Sequence, residues 1–207
     1  QGLEGTEFDD RILGYQSGHF FFYIYEQKLL SGNLLNYITL YTTAMMEMKS
    51  SMGVIVAAPT AGACGTLPGA VLGAAKSINA SIEKQVQAML SAGLIGVFIT
   101  NDSTFAAEVC GCQAECGAAS GMAAAALVTL ADGTLEQAVN ASSIALQNIF
   151  GMTCDPVANR VEVPCLGKNV MGASNALISA NMALANFDSI IPLKEVIIAM
   201  DKVGRSI

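Results

Sequence analysis

Residues 113–130 read QAECGAASGMAAAALVTL, and few folds can accommodate such a run. Between Gly117 and Ala126 the only side chain larger than serine is Met122. Alanine favours the helix, but its methyl group buries little area. A helix built this way becomes stable only when neighbouring elements approach its backbone closely on several sides. The chain carries 20 glycines, many of them within helix-like stretches. Each interior glycine costs up to ~1 kcal/mol relative to alanine, a cost that tight backbone contact offsets.

The remaining pattern is also helical. Ser31 is placed to cap a helix over residues 32–50. Helices are expected over 67–77, with Pro68 in the first turn, and over 81–100, with Ile82, Val86, Met89, Leu90 and Gly93 at helical spacing. Asp132-Gly133 ends the small-residue helix, and glycine suits the left-handed residue after a helix. Thr134 and Gln137 form a capping-box pattern that opens a helix over 135–150, closed by Gly151. Two further helices are expected over 166–186 and 192–203. Residues 54–58 fit either a short strand or the end of a buried helix, and periodicity does not separate the two. Residues 2–18, 101–111 and 152–164 read as irregular. The fold class that follows is all-α: one compact multi-helix domain, here around a buried site.

Composition excludes some functions. The net charge is −7 and no basic run occurs, which argues against a nucleic-acid partner. The densest apolar stretch, 118–131, is too short for a membrane span of about 20 residues, so no membrane role is expected. Residues 1–10 are polar and acidic, unlike a signal peptide. Six cysteines in such a chain suggest a reducing, cytoplasmic setting and metal ligation or buried thiols. They form no paired C-x-x-C, so zinc is not favoured. Hydrophobic residues make up 53% and charged residues 13%, below the ~25% charged of an average domain. Apolar surface that needs covering follows, and with it an oligomer or a partner chain.

Three segments carry chemistry. The first is Ala58-Pro59-Thr60-Ala61-Gly62-Ala63-Cys64-Gly65, whose small residues let backbone N–H groups converge on a ligand ahead of a helix start. The second is Cys110-Gly111-Cys112-Gln113-Ala114-Glu115-Cys116. The third joins Thr153-Cys154-Asp155-Pro156 to Val163-Pro164-Cys165-Leu166-Gly167-Lys168-Asn169. In order and spacing these are similar to the GCQAE, CDPVA, VPC…N and PTAG-CG motifs of the iron–sulfur-dependent bacterial L-serine dehydratases, alpha type. The similarity runs from about Ser31 to Ile207.

The resemblance implies a helical catalytic domain over 31–207 after an irregular lead-in over 1–30. It implies that Cys112, Cys154 and Cys165 hold three irons of a 4Fe–4S cluster whose fourth iron stays open as a Lewis acid. The reaction implied is L-serine to pyruvate and ammonia without pyridoxal phosphate. A beta subunit or beta domain is implied as partner. Thr60, Ala61, Gly62 and Asn169 lie in the matching loops as substrate-binding candidates. Lys168 stands where the family usually has arginine, which keeps the charge but loses the two-pronged grip on a carboxylate. Lys49-Ser50 replaces a common Asn-Ala.

No residue type singles out the general base. Lys168, Glu115 and His19 are candidates, and the beta part is another source. His19 is the only histidine, but it precedes Phe20-Phe21-Phe22 in a poorly matching region. Cys64, Cys110 and Cys116 read as buried packing thiols. Two rival functions remain open at this point. One is a non-catalytic iron–sulfur redox or sensing protein, against which a three-cysteine ligand set speaks. The other is an inactive helical interaction module.

Overall fold

The computed structural model describes residues 1–7, 9 and 12–207. Its helices are α1 (Ser17–Tyr25), α2 (Asn33–Ser50), α3 (Thr66–Ile78), α4 (Ile82–Asp102), α5 (Ala107–Cys112), α6 (Ala118–Leu130), α7 (Leu135–Gln147), α8 (Glu162–Leu184) and α9 (Leu193–Gly204), with a π-helical turn, Gln113–Gly117, between α5 and α6. Among the described residues there is no strand, only one isolated antiparallel bridge between Val157 and Arg160. Residues 54–58 are therefore neither strand nor helix. The domain is all-α, as the small-residue pattern requires.

Helix α6 is the axis of the fold. It packs against α3, α4, α7 and α8, and every residue of it except Thr129 is buried. Hydroxyl groups replace bulk as the adhesive. Ser120 Oγ donates to the Gly172 carbonyl at 2.7 Å, and Ser142 Oγ donates to the Gly121 carbonyl at 2.8 Å. Asn175 Nδ2 reaches Ser120 Oγ and the Ala145 carbonyl, both at 2.9 Å, so one amide ties α8 to α6 and α7. These bonds satisfy polar groups that would otherwise be costly to bury.

Helices α2 and α3 cross on glycine. A methyl group added at Gly73 would lie 2.5 Å from Ile38 Cα and 2.6 Å from its amide nitrogen. One at Gly69 would lie 2.8 Å from Thr42 Cα. Neither neighbour is a flexible side-chain tip, so the backbones touch because these positions lack a Cβ.

Helix α4 reverses an expectation. Its buried face is Ala88, Ala92, Ile95, Gly96 and Ile99, set against α6. The larger stripe of Ile82, Val86, Met89, Leu90, Leu94, Val97 and Phe98 is exposed. Ala88, Ala92 and Gly96 permit the close approach to α6, Ile95 and Ile99 fill the space beside them, and the other bulky residues turn outward. By length and composition alone α4 is long and apolar enough to cross a membrane, whereas the more densely apolar run 118–131 is too short.

Local details differ as well. Ser31 does not cap α2, whose N-cap is Gly32, with no side-chain cap. Asp132, not Gly133, takes the left-handed conformation, at φ 59°. Gly133 is instead needed for space, since a methyl there would press on Val128 and Leu184. The Thr134–Gln137 capping box forms in full. The N-terminal stretch read as irregular contains α1, held by two carboxylates from the body. Glu47 is fully buried and accepts from Gln16 N at 2.5 Å, Ser17 N at 3.1 Å and Ser17 Oγ at 2.5 Å. Glu162 accepts from Ile12 N at 3.0 Å and Leu13 N at 2.9 Å.

Glycines in this fold divide sharply. Gly73→Ala forces the α2–α3 crossing apart and should destabilise the domain by about 1–3 kcal/mol. Gly93 sits mid-helix and exposed, with open space where a Cβ would go, so Gly93→Ala should stabilise by about 1 kcal/mol. Urea unfolding midpoints at unchanged slope would measure both; equal shifts in the two variants would contradict the packing account.

Candidate active site

The site begins with a broken helix. Gly111 has φ 69° and ψ 178°, a conformation open to glycine, and a methyl there would also lie 2.8 Å from the Met152 carbonyl. The break lets residues 110–112 pass beneath the segment after α7, where Gln113 N donates to the Met152 carbonyl at 3.0 Å. The π-helical turn that follows sets Cys112, Glu115 and Cys116 together; such turns often occur at functional sites. Gln113, fully buried, braces the turn from behind. Its Oε1 accepts from Gly151 N at 3.0 Å and its Nε2 donates to the Met200 carbonyl at 3.1 Å.

Cys165, Lys168 and Asn169 lie at helical spacing on the first turns of α8 and so share one face. Lys168 draws the 153–155 segment onto that helix. Its Nζ donates to the Thr153 carbonyl at 2.6 Å and forms an ion pair with Asp155. Cys154 lies between those two partners, exposed, whereas Cys112 and Cys165 are buried.

The thiols influence one another. Cys112 is held down to about 7 by a hydrogen bond from the Cys116 thiol; burial opposes this, and the Lys168 ammonium and Cys154 thiol assist it. Cys116 is pushed up by the same bond and by burial, so Cys112 is the thiolate of that pair. Cys154 and Cys165 are raised, chiefly by burial, and both feel the charge on Cys112. Cys64 is raised to about 11 by burial and packs with Met46 and Cys165. The Lys168 ammonium is disfavoured by burial, but its bond to Asp155 and the nearby Cys112 outweigh that and raise its pKa. Cys112, Cys154 and Cys165 thus converge on one locality from three distant segments. Among the described residues, no three His, Cys, Asp or Glu side chains are placed to hold a metal ion.

The loop before α3 faces the same locality. Thr60 Oγ1 donates to Glu115 Oε1 at 2.6 Å and accepts from Ala63 N at 3.1 Å. A methyl at Gly62 would collide with the Glu115 carboxylate, so glycine there permits the approach. Ala61 is exposed at the loop tip.

Asn169, one of the substrate-binding candidates, ties α8 to the loop ahead of α3. It is fully buried and its amide is committed to the protein. Oδ1 accepts from Gly65 N at 3.2 Å, Thr66 N at 2.9 Å and Thr66 Oγ1 at 2.8 Å. Nδ2 donates to the Gly62 carbonyl at 2.7 Å and the Cys165 carbonyl at 2.8 Å. The first amides of α3 are thereby capped from α8, and Asn169 positions the loop. His19 lies exposed on α1, with no interaction joining it to the thiols. Sequence reasoning also passed over the wall formed by residues 103–108. With Thr60, Thr100 and Glu115 they line a polar cleft of about 590 Å3. No motif marks that wall, because its polar residues resemble any surface loop.

The bracing role of Asn169 has a distinctive signature. Asn169→Ala removes five hydrogen bonds and leaves the Gly65 amide without its acceptor, and should destabilise the fold by about 2–4 kcal/mol. Asn169→Asp should be no better, since its second oxygen would face the Gly62 and Cys165 carbonyls. Thermal and urea unfolding test this; an Asp variant as stable as the parent would refute it.

Comparisons of the sequence with known proteins identify its relatives. The family model described as serine dehydratase alpha chain matches residues 4–207. The chain is 43% identical over 206 residues to a probable L-serine dehydratase alpha chain of Bacillus subtilis, covering 100% of this chain and 69% of that protein. It is 45% identical over 179 residues to the L-serine dehydratase alpha chain of Peptoniphilus asaccharolyticus, covering 86% of this chain and 61% of that one. Against an L-serine dehydratase of Escherichia coli the identity is 36% over 176 residues, covering 84% of this chain but 38% of the other. The chain thus spans between about two fifths and two thirds of these relatives. With the broken helix, the three cysteine segments and the small-residue loop all in place, the chain belongs to the serine dehydratase alpha-chain family.

Proposed function

We propose that this chain is the catalytic part of a lyase that converts L-serine to pyruvate and ammonia. The observation that carries the reading is the convergence of Cys112, Cys154 and Cys165 beside a loop with unused backbone donors. Among the described residues, no hydrogen bond uses the amide N–H of Thr60, Ala61 or Gly62. Overall, the α-hydrogen and the β-hydroxyl leave serine as water, and the resulting aminoacrylate tautomerises and hydrolyses to pyruvate and ammonium.

The donor set suits a 4Fe–4S cluster. Thiolates are soft ligands for iron, and one of these thiols is already poised to lose its proton. A cluster binds each thiolate through a different iron, so its ligands need not stand as close as those of one ion. When bound, such a cluster with three protein ligands supplies a Lewis acid for the departing hydroxyl. Cys112, Cys154 and Cys165 would hold it, and metal binding would order the site further. The amides of residues 60–62 bind the substrate carboxylate, and Lys168 adds positive charge nearby. Glu115 and Lys168 remain the candidates on this chain for moving the α-proton, with the beta part as a third source; the exposed position of His19 on α1 disfavours it.

A beta subunit or beta domain is the proposed partner, with contacts between copies as well. The outward stripe of α4 and the exposed aromatics Phe21, Phe22, Tyr23 and Tyr25 of α1 support a covered surface. A partner protein, rather than a bilayer or a nucleic acid, is the proposed cover. Six free cysteines fit a reducing, cytoplasmic setting.

Anaerobic reconstitution with iron and sulfide tests the reading. The chain with its beta part should turn brown and form pyruvate without pyridoxal phosphate. Activity should fall in air and return with Fe2+ and a thiol reductant. Alanine at Cys112, Cys154 or Cys165 should remove both cluster absorbance and turnover, while Cys64→Ala should retain the cluster. Full turnover in Cys154→Ala, or dependence on pyridoxal phosphate, would sink the proposal. A brown protein that cycles redox state without forming pyruvate would favour an electron-transfer or sensing role instead.

A further inference from the structure

We infer that Glu115 binds the α-ammonium of the substrate, and that the cleft lined by residues 103–108 admits an amino acid rather than a hydroxy acid. The inference rests on the lyase reading and adds the means of substrate recognition. An amino acid in solution is a zwitterion whose carboxylate and ammonium are attached to one carbon. A complementary site therefore needs a donor group and a carboxylate side by side. The loop and the π-helical turn supply that pair. The unused amides of residues 60–62 lie next to the Glu115 carboxylate, so close that only glycine fits at position 62.

Three further observations place Glu115 at the meeting point. Thr60 Oγ1 holds Oε1 at 2.6 Å and fixes the carboxylate, leaving Oε2 without a protein hydrogen bond. Glu115 lines the 590 Å3 cleft with Ser103, Thr104 and Glu108, which opens a route from solvent. Glu115 also shares the π-helical turn with Cys116, and Cys112 caps that turn, so the carboxylate borders the thiol locality. A substrate with its ammonium on Oε2 and its carboxylate on the loop amides has its β-carbon free to turn toward the thiols. Lys168 does not compete for Glu115, because its ammonium is taken by Asp155 and the Thr153 carbonyl.

The test compares L-serine with 3-hydroxypropionate, the same molecule without the amino group. On the reconstituted protein, Glu115→Gln should raise KM for L-serine about thirtyfold, the range of a charge-assisted hydrogen bond, and shift Ki for 3-hydroxypropionate less than about threefold. Equal weakening of both compounds would overturn the inference. So would a fall in kcat at unchanged KM, which would mark Glu115 as the proton-transfer group. Should Glu115→Gln fail to fold by circular dichroism, Thr60→Val frees the carboxylate without removing it. That variant should weaken L-serine more than 3-hydroxypropionate, and equal effects again refute the idea. Saturation-transfer NMR on the reconstituted protein separates this inference from the lyase reading. Transfer to L-serine exceeding that to 3-hydroxypropionate, and lost in Glu115→Gln, supports recognition even if no pyruvate forms. Equal transfer to the two compounds refutes it even in an active enzyme.

Discussion

The site depends on one buried side-chain amide. Asn169 joins the first turns of α8 to the loop ahead of α3, accepting three hydrogen bonds there and donating two. Through those bonds the position of Cys165 and the position of Gly62 become one problem rather than two. Gly62 in turn sets how near Glu115 can come, and Thr60 fixes the carboxylate's direction. Few side chains can perform this role, because it needs an acceptor and a donor on one short, planar group. A buried amide with every position satisfied gives rigidity at little net cost, whereas a half-satisfied one is destabilising.

The remainder of the fold serves that rigidity by bringing backbones close. Helix α6 carries little bulk, so α3, α4, α7 and α8 can all reach it. Glycine performs the same service between α2 and α3. The consequence appears on the outside: alanine and glycine take three of the five buried positions of α4, and most of its large apolar residues face away from the core. An interior of small residues and a partly apolar exterior are thus two results of one packing choice, and the second favours a partner protein.

Charge is arranged as finely as packing. Lys168 neutralises Asp155, pulls the Cys154 segment inward and favours the Cys112 thiolate. Glu115, held by Thr60, brings a carboxylate to the same locality. Neither group is deeply buried, so their effects operate in partly hydrated surroundings and are correspondingly modest.

By itself the sequence determined the helical class, the Thr134–Gln137 cap, the three cysteine segments and the loop at residues 59–65. These are local or compositional: capping depends on residues three apart, and a run such as 113–130 admits few structures. Tertiary structure decided the rest. Nothing in the pattern at Ile82, Val86, Met89 and Leu90 tells an inward stripe from an outward one, since both repeat at 3.6 residues and only the close approach of α6 selects. Asp132 takes the left-handed residue, while Gly133 is needed for space beside Val128 and Leu184. The motif around Asn169 marked it as important, but its partners Gly62, Gly65 and Thr66 lie more than a hundred residues away, so only the folded chain shows that it braces their loop. The cleft wall at residues 103–108 was silent for the same reason. Its polar residues gain meaning from the Thr60 and Glu115 side chains opposite them, a relation that exists only in three dimensions.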